Sequence, residues 1–302
     1  MSLVIKPRHW PMAAGLALMW LIHFLPMKLQ FWVGKKFGHF LYHFAKRRRH
    51  IAEINIDLCF PALDKQQRKN LLIKTFESAG ISTFEVPIAW WSSDERLRPL
   101  AHFHGLEHIK NAQRQGKGIL LLVAHFICLE IGGRLLNLEV PTNNMYKKHH
   151  NPLFEAVMTK CRLEHLEGLV EHRNVREFIR ILKQGRVGWY VPDQDFGKKG
   201  QSVFAPFMGV QTATLTAGSR FAKMGDAAVI PFFPRRRLDG TGYDIIILPP
   251  IENFPSGDDE KDAAIINETI QEQVLLEPDQ YLWLHRRFKS RPEGQPNVYK
   301  TK

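Results

Sequence analysis

The sequence lacks the short motifs that mark several large classes of enzyme. It contains no Gly-x-Ser-x-Gly nucleophile elbow, no Gly-x4-Gly-Lys-Ser/Thr phosphate loop, no Gly-x-Gly-x-x-Gly fingerprint and no His-Glu-x-x-His motif. Each of these motifs supplies groups that its chemistry requires, such as an exposed serine, backbone amides around a phosphate, or paired zinc ligands. The sequence therefore gives no motif support for a serine hydrolase, a P-loop enzyme, a dinucleotide enzyme or a zincin.

Cysteine is scarce, with only Cys59, Cys128 and Cys161 in 302 residues. The number is odd, the spacings are long, and no Cys-x-x-Cys pair or Cys/His cluster is present. Such spacing argues against a disulfide framework and against a structural zinc site. We therefore predict three reduced thiols in a cytosolic compartment.

Two histidine pairs have the i, i+4 spacing of metal ligands: His39 with His43, and His104 with His108. Neither pair has an evident third ligand, whereas a catalytic zinc site normally uses three protein ligands. We therefore predict no metal site and no cofactor.

Acidic residues are in the minority, with 30 Asp and Glu against 42 Lys and Arg and a net charge of +12. This excess indicates an anionic partner: nucleic acid, membrane headgroups or an acidic protein. No RRM, KH or zinc-finger signature is present, so nucleic acid is not predicted as the partner. The hydrophobic content of 44% is ample for a single large core.

The N-terminal region is almost free of charge. Residues 10–33 form a mainly apolar segment of 24 residues that contains one lysine, Lys28. As a helix it would measure ~36 Å against a hydrocarbon core of ~30 Å, so it could span a bilayer, lie in its interface or pack in a protein core. Basic residues after the segment outnumber those before it, which places the rest of the chain in the cytoplasm. We predict a membrane anchor helix over residues 1–34 and one catalytic domain over residues 35–302.

Apolar runs alternate with helical patterns in the rest of the chain. The runs at 118–124, 187–191 and 227–233 are typical of buried parallel strands, and 245–248 is a fourth candidate strand. Helical periodicity covers 65 to about 89, where Pro87 should kink or end the helix, 175–182 with Asn174 as N-cap, and a segment around 266–274. This alternation predicts an α/β fold with a ligand crevice at the carboxyl ends of the strands.

The run at 118–124 is followed directly by His125, with Glu130 five residues further on. If a helix begins near Ile127, the Glu130 carboxylate can accept the Nδ1 proton of the imidazole and leave Nε2 free as a base. A surface histidine beside a helix acid is the alternative interpretation of this spacing.

Polar residues also follow the other predicted strands. Arg173 precedes the predicted N-cap, Asp193, Gln194 and Asp195 follow the 187–191 run and lead into a loop with Lys198 and Lys199, and residues 235–237 are three arginines after the 227–233 run. Polar groups that collect at several strand ends predict one shared site. Taken singly, each could instead be a solvated turn or a turn cap.

The four blocks His125-x4-Glu130, 171–173 (Glu-His-Arg), 192–195 (Pro-Asp-Gln-Asp) and 229–231 (Val-Ile-Pro) resemble, in this order, those of glycerolipid-type acyltransferases. The more specific resemblance is to the late acyltransferases of lipid A biosynthesis, the lauroyl/myristoyl transferases. The Pro-Asp-Gln-Asp block, an Asn-Pro-Leu-Phe segment at 151–154 and the tail at 280–289 carry it. Lys147 departs from this pattern, because arginine is commoner there and lysine lacks its bidentate fork.

The resemblance implies a mixed, mostly parallel sheet flanked by helices, and an acyl transfer at the cytoplasmic face of the inner membrane. The fatty acyl chain would pass from acyl carrier protein to a hydroxyl of a lipid A precursor of the Kdo-lipid IVA type. His125 would take the hydroxyl proton, Glu130 would orient the imidazole, and the oxygen would attack the thioester directly. Arg173 would hold a phosphate or sugar carboxylate of the acceptor.

The same resemblance makes Lys147, Asp193, Gln194 and Asp195 candidates for binding substrate or shaping the pocket. Trp90 and Trp91 are candidates for the wall of an acyl-chain groove, although core packing is an equal alternative for them. Two other functions stay open: acylation of another phosphorylated lipid, such as lysophosphatidic acid, and a non-catalytic, basic, membrane-bound protein that holds anionic lipid or nucleic acid.

Overall fold

The computed structural model describes residues 7–197 and 201–300. Four helices come first: α1 (Trp10–Ile22), α2 (Met27–Phe44), α3 (Lys46–Cys59) and α4 (Lys65–Trp91). The single helix expected over 10–33 is therefore interrupted at 23–26, because Pro26 precedes α2 with extended backbone angles and cannot continue α1. Among the described residues, no helix is long and apolar enough to cross a membrane. The membrane anchor stays a prediction.

The break between α1 and α2 is closed by polar side chains. The buried Gln30 amide donates to the carbonyl oxygens of Ile22 at 3.1 Å and Leu25 at 2.8 Å. Arg96 donates to the same Leu25 oxygen at 3.0 Å. These bonds satisfy the carbonyl groups that the end of a helix leaves without partners.

Helix α2 lies unusually close to α4 through glycines. A Cβ atom on Gly80 would be 2.2 Å from the Gly34 carbonyl oxygen, and one on Gly38 would be 2.3 Å from the Phe76 oxygen. Only glycine allows two backbones to approach so closely. The predicted boundary between residues 34 and 35 falls inside α2, and α2 packs along the first helix of the predicted catalytic domain.

Helix α4 confirms the predicted start at Lys65, where Asp64 and Gln67 form a capping box. The helix continues through Pro87 to Trp91, so the proline does not end it. Helix α4 packs against α2 and against the helix at Leu129–Leu136. Trp90, near the C-terminal end of α4, donates a hydrogen bond to Glu130 on that helix.

The remaining elements form an α/β layer structure. Its helices are α5 (Asp94–Leu97), α6 (Leu106–Arg114), α7 (Leu129–Leu136), α8 (Pro152–Leu163), α9 (Val175–Lys183), α10 (Ala217–Gly225) and α11 (Asp259–Leu276). Its strands are β1 (Ala101–His104), β2 (Gly118–Val123), β3 (Asn143–Tyr146), β4 (Gly168–Glu171), β5 (Val187–Tyr190), β6 (Ser202–Phe207), β7 (Val210–Leu215), β8 (Ala227–Arg236) and β9 (Tyr243–Ile247).

Seven strands make one sheet in the order β1-β9-β8-β2-β5-β3-β4, and β6 with β7 makes a separate antiparallel hairpin. Only the β8–β9 pair of the large sheet is antiparallel. The three runs predicted as buried parallel strands are β2, β5 and β8, which lie side by side in its centre. The predicted mixed, mostly parallel sheet flanked by helices is confirmed.

Two apolar layers cover the sheet on opposite faces. Side chains alternate between faces along a strand, so Leu121 contributes to one layer and Leu122 to the other. Cys59, Cys128 and Cys161 are buried free thiols, and burial raises the pKa of Cys128 to about 12. All three are therefore poor nucleophiles.

Candidate active site

His125 and Asp193 meet at the carboxyl edge of the sheet because β2 and β5 are neighbours. The imidazole Nδ1 donates to Asp193 Oδ1 at 2.5 Å, and the His125 backbone N–H donates to Asp193 Oδ2 at 2.9 Å. The carboxylate thus holds both the ring and the backbone of His125. Nε2 has no hydrogen-bond partner among the described residues and is free to act as a base.

Asp193 is almost fully buried, with 2% of its side chain exposed, whereas 27% of the His125 side chain is exposed. Burial alone would raise the pKa of Asp193, but the charge and hydrogen bonds of His125, together with Arg287, lower it to about 2. The Tyr281 hydroxyl donates a further bond to Oδ2 at 2.9 Å. Asp193 is therefore an ionised carboxylate that orients the imidazole.

Glu130 does not contact His125, so the expected bond from Nδ1 to Glu130 is wrong. Helix α7 begins at Leu129 rather than near Ile127, and it directs Glu130 towards α8 and α4. Arg162 donates to Glu130 from Nε at 2.9 Å and from Nη2 at 2.5 Å, and Trp90 Nε1 donates at 2.6 Å. Burial raises the pKa of Glu130, but Arg162 and Trp90 lower it overall.

The tail of the chain fixes the turn that carries His125. The Leu282 N–H donates to the His125 carbonyl oxygen at 3.0 Å, and the Ile127 N–H donates to the Gln280 carbonyl oxygen at 2.7 Å. The buried Gln280 side chain also bonds both the N–H and the carbonyl oxygen of Arg236 at the end of β8. Tail residues therefore connect the His125 turn to the neighbouring strand.

Asp195 is also buried, but it faces the tail instead of His125. It accepts bonds from the Ser290 N–H at 2.5 Å, the Ser290 hydroxyl at 2.9 Å and the Gly197 N–H at 2.7 Å. Its carboxylate is thus used to attach the C-terminal segment. Lys198 and Lys199 lie outside the described residues.

The three arginines at 235–237, which end and follow β8, do not join the site, contrary to the prediction. Arg235 donates to Gln273 and Arg237 donates to Asp244. Arg236 turns into the core, where its Nε and Nη2 lie 2.5 and 2.7 Å from the Glu85 oxygens. Tyr243 donates to the same carboxylate at 2.7 Å. Both charged side chains are 1% exposed, so this is a structural ion pair.

A cavity of about 810 Å³ opens beside His125. His125, Glu130, Lys147, Arg173 and Gln194 all line it. Lys147 and Arg173 are exposed at its rim, after β3 and β4, and carry positive charge. The structure thus brings five of the seven predicted site residues to one cavity, with Asp193 directly behind His125 and Asp195 in the loop beyond.

Comparison with known proteins decides the family. Residues 2–290 match the family described as bacterial lipid A biosynthesis acyltransferase. The chain belongs to this family.

Three relatives from Escherichia coli (strain K12) match over 98% of this chain. The lipid A biosynthesis lauroyltransferase is 38% identical, with 97% of its own length covered. The palmitoleoyltransferase is 36% identical over 96% of its length, and the myristoyltransferase is 30% identical over 92% of its length. This chain is therefore a lipid A acyltransferase by family, and the recognised resemblance is confirmed.

Sequence reasoning missed two members of the site, Arg162 and Tyr281. Arg162 lies on α8, 32 residues from Glu130, and no local spacing links the two. Tyr281 lies 88 residues from Asp193, but it belongs to the tail block on which the family resemblance rests. The tail block was therefore a signal in the sequence for Tyr281, but nothing in its spacing links it to His125.

Proposed function

We propose that this lipid A acyltransferase moves a fatty acyl chain from acyl carrier protein to a hydroxyl of a lipid A precursor of the Kdo-lipid IVA type. The observation that carries the proposal is the His125 imidazole, held by buried Asp193 and presenting a free Nε2 to the cavity. A base of this kind suits deprotonation of an alcohol. It needs no nucleophilic serine or cysteine.

The proposed reaction is a direct displacement. His125 Nε2 takes the proton of the acceptor hydroxyl while the oxygen attacks the thioester carbonyl carbon. The carbon–oxygen bond forms, the carbon–sulfur bond breaks, and the imidazolium returns its proton to the leaving thiolate. Asp193 stays ionised and stabilises the imidazolium, as a carboxylate does in other histidine-based sites.

Glu130 has a positioning role in this scheme. Its ion pair with Arg162 joins α7 to α8 on the wall of the cavity, and its bond to Trp90 attaches α4. Removal of Glu130 would leave the partly buried Arg162 without its carboxylate partner, which is costly. We therefore expect Glu130 variants to lose activity through a distorted cavity wall.

Positive charge around the cavity fits both substrates. Lys147 and Arg173 at the rim are placed to meet a phosphorylated acceptor, and the net charge of +12 favours an acidic carrier protein. Arginine can bind a phosphate with two hydrogen bonds, whereas lysine acts as a point charge. We assign Arg173 the larger share of acceptor binding.

We propose that α1 and α2 hold the protein at the cytoplasmic face of the inner membrane. Nine of the seventeen large apolar side chains exposed in the described part of the chain lie on or beside these helices: Trp10, Leu18, Trp20, Leu21, Phe24, Leu29, Trp32, Phe40 and Phe44. Exposed lysines at 28, 35 and 36 suit anionic headgroups. If Trp20→Glu protein still sedimented fully with anionic vesicles, this surface would not be the contact.

The decisive experiment changes the acceptor. Acyl carrier protein loaded with a fatty acyl thioester is incubated with the enzyme and either a lipid A precursor or lysophosphatidic acid, and acylated lipid is quantified. We expect wild-type protein to transfer the acyl chain to the lipid A precursor, and His125→Ala protein to do so roughly 10² to 10⁴ times more slowly. Transfer to lysophosphatidic acid alone would support the other acyltransferase function, and no transfer to either lipid would support a binding protein.

A further inference from the structure

The tail block at 280–289 contributes two buried polar side chains next to the catalytic pair, Tyr281 and Arg287. Both residues are 2% exposed, and neither lines the cavity beside His125. Neither side chain is therefore placed to contact a substrate. Any part that they have in the reaction must act through Asp193.

Tyr281 is held in place by its backbone and by its ring. It forms an antiparallel bridge with Phe126, and its ring packs edge-on against Trp283 with the ring centres 4.8 Å apart. Its hydroxyl donates to Asp193 Oδ2 at 2.9 Å, the oxygen that also accepts the His125 backbone N–H. Among the described residues, Oδ1 accepts only from the imidazole Nδ1. Tyr281 thus fixes which carboxylate oxygen serves the imidazole.

Arg287 is a buried charge without an ion pair in the part of the chain that the structure describes. Its Nη1 donates to the Ala213 carbonyl oxygen at 2.9 Å and its Nη2 to the Asn267 side-chain oxygen at 3.2 Å, and both acceptors are neutral. A guanidinium stays protonated in proteins, and burial of its charge is costly unless an opposite charge is near. Asp193 is such a charge: burial raises the pKa of Asp193, and Arg287 is among the groups that lower it.

A base must be neutral before it can accept a proton, and this condition affects its partner. While His125 is neutral, Asp193 is a buried carboxylate without the positive charge of an imidazolium, and such a carboxylate favours protonation of the histidine. Arg287 is charged whether or not His125 carries a proton, and the Tyr281 hydroxyl donates in both cases. Both groups therefore stabilise the carboxylate when the imidazolium does not.

We propose that Tyr281 and Arg287 are positioning residues that keep Asp193 ionised beside a neutral His125, so that Nε2 is available as a base. This inference rests on the proposed function of His125. It gives the tail block a role in the reaction although the block does not touch the substrate.

Other ionisable groups surround the pair and its positioning residues. On the buried side they are His285 and Asp195, Tyr190 of β5 and Cys59 of α3; on the cavity side they are Lys147, His172, Arg173 and the Glu130–Arg162 ion pair. Burial raises the pKa of Tyr190 and of Cys59, so both are neutral near pH 7. Burial lowers the pKa of His285, and His125 lowers it further. The titration of His285 must therefore be separated from that of His125.

The first test titrates the His125 ring by NMR in the folded full-length protein, which requires no substrate. The signal is identified by its absence from His125→Gln protein, and a His285→Gln background removes the neighbouring ring. We expect the midpoint to rise by about one pH unit in Arg287→Met, and by less in Tyr281→Phe, because Asp193 attracts the proton more strongly after the loss of a stabilising group. An unchanged midpoint in either folded variant would overturn the proposal, and Tyr281→Phe alone decides if Arg287→Met does not fold.

Arg287→Lys is the matched control, because it keeps the charge and loses the planar fork. We expect its midpoint to stay near the wild-type value, even if its melting temperature falls. A midpoint as high as that of Arg287→Met would show that the charge is not what matters, and would reject the role given to Arg287.

The second test is the pH dependence of kcat/KM for acyl transfer. The acid limb should move upward in Arg287→Met and Tyr281→Phe by the same amounts as the NMR midpoints, and an acid limb that does not move would contradict the proposal. Absence of transfer by wild-type protein would reject the proposed function itself. The ring titration separates the two failures, because it is measured without any reaction.

Discussion

A buried charged residue lies at or just beyond the end of each strand that flanks β2, but the two surroundings differ. At the end of β8, Arg236 turns inward to Glu85 on α4, and both side chains are 1% exposed. After β5, Asp193 holds His125 beside an open cavity. Charge at the end of a buried strand therefore indicates a site only where nothing covers that end.

We expect the largest effect on turnover from substitution of His125, which lies beside the open cavity. His125→Ala should lower turnover by roughly 10² to 10⁴, the usual contribution of a general base, while the fold is kept. His125→Ala combined with Asp193→Asn should be little worse than His125→Ala alone, because the two residues act as a unit. Turnover and the melting curve of each purified variant measure this. Normal transfer by folded His125→Ala protein would contradict the mechanism.

We expect substitutions in the buried Arg236–Glu85 pair to lower the stability of the protein. Arg236→Met leaves Glu85 as a buried unpaired charge and should lower the free energy of unfolding by about 3–5 kcal/mol. The double variant with Glu85→Met should recover part of this loss, because both charges are removed. Urea unfolding with each variant provides the measurement. If Arg236→Met lowered turnover at unchanged stability, Arg236 would contribute to the reaction and not to the stability of the fold.

Asp193 should also make stability depend on pH. Its folded pKa of about 2 lies below the unfolded value of about 3.9, so the carboxylate stabilises the fold fully above about pH 4. This contribution, about 2 kcal/mol, should be lost as the pH falls through 2. The difference in unfolding free energy between wild type and Asp193→Asn should therefore shrink between pH 5 and pH 2. A difference that is constant with pH would refute the depressed pKa.

Arg173 should give the smallest effect, because it is exposed at the rim. Arg173→Ala should raise the acceptor KM about tenfold, near 1.4 kcal/mol, and leave the melting temperature unchanged. Arg176→Ala is the matched control, since Arg176 is also exposed and close in the chain but is not part of the cavity lining. Equal effects of both variants would indicate general electrostatic attraction in place of a specific contact.

The sequence predicted the centre of the sheet and the position of His125 at the end of β2 correctly, because buried strands are continuous apolar runs. It failed for Glu130, since His-x4-Glu spacing does not determine where α7 begins, and a two-residue difference in its start turns the side chain towards Arg162. It also failed for Arg236, whose partner Glu85 lies 151 residues away. Long-range packing decided both cases.

The break before α2 was partly visible in the sequence. Pro26 signals an interruption, but the apolar segment around it favoured one long helix. The Gln30 and Arg96 contacts that close the break depend on the folded chain, so no local pattern could predict them.

The glycine contact between α2 and α4 has a mechanical consequence. At Gly34 and Gly80 the backbones of the two helices are in direct contact, with no side chain between them. We therefore expect α2 and α4 to move together as one rigid unit. Trp90 lies near the C-terminal end of α4 and donates a hydrogen bond to Glu130 on the cavity wall. A displacement of α2 would therefore be expected to shift Trp90 and, with it, the cavity wall.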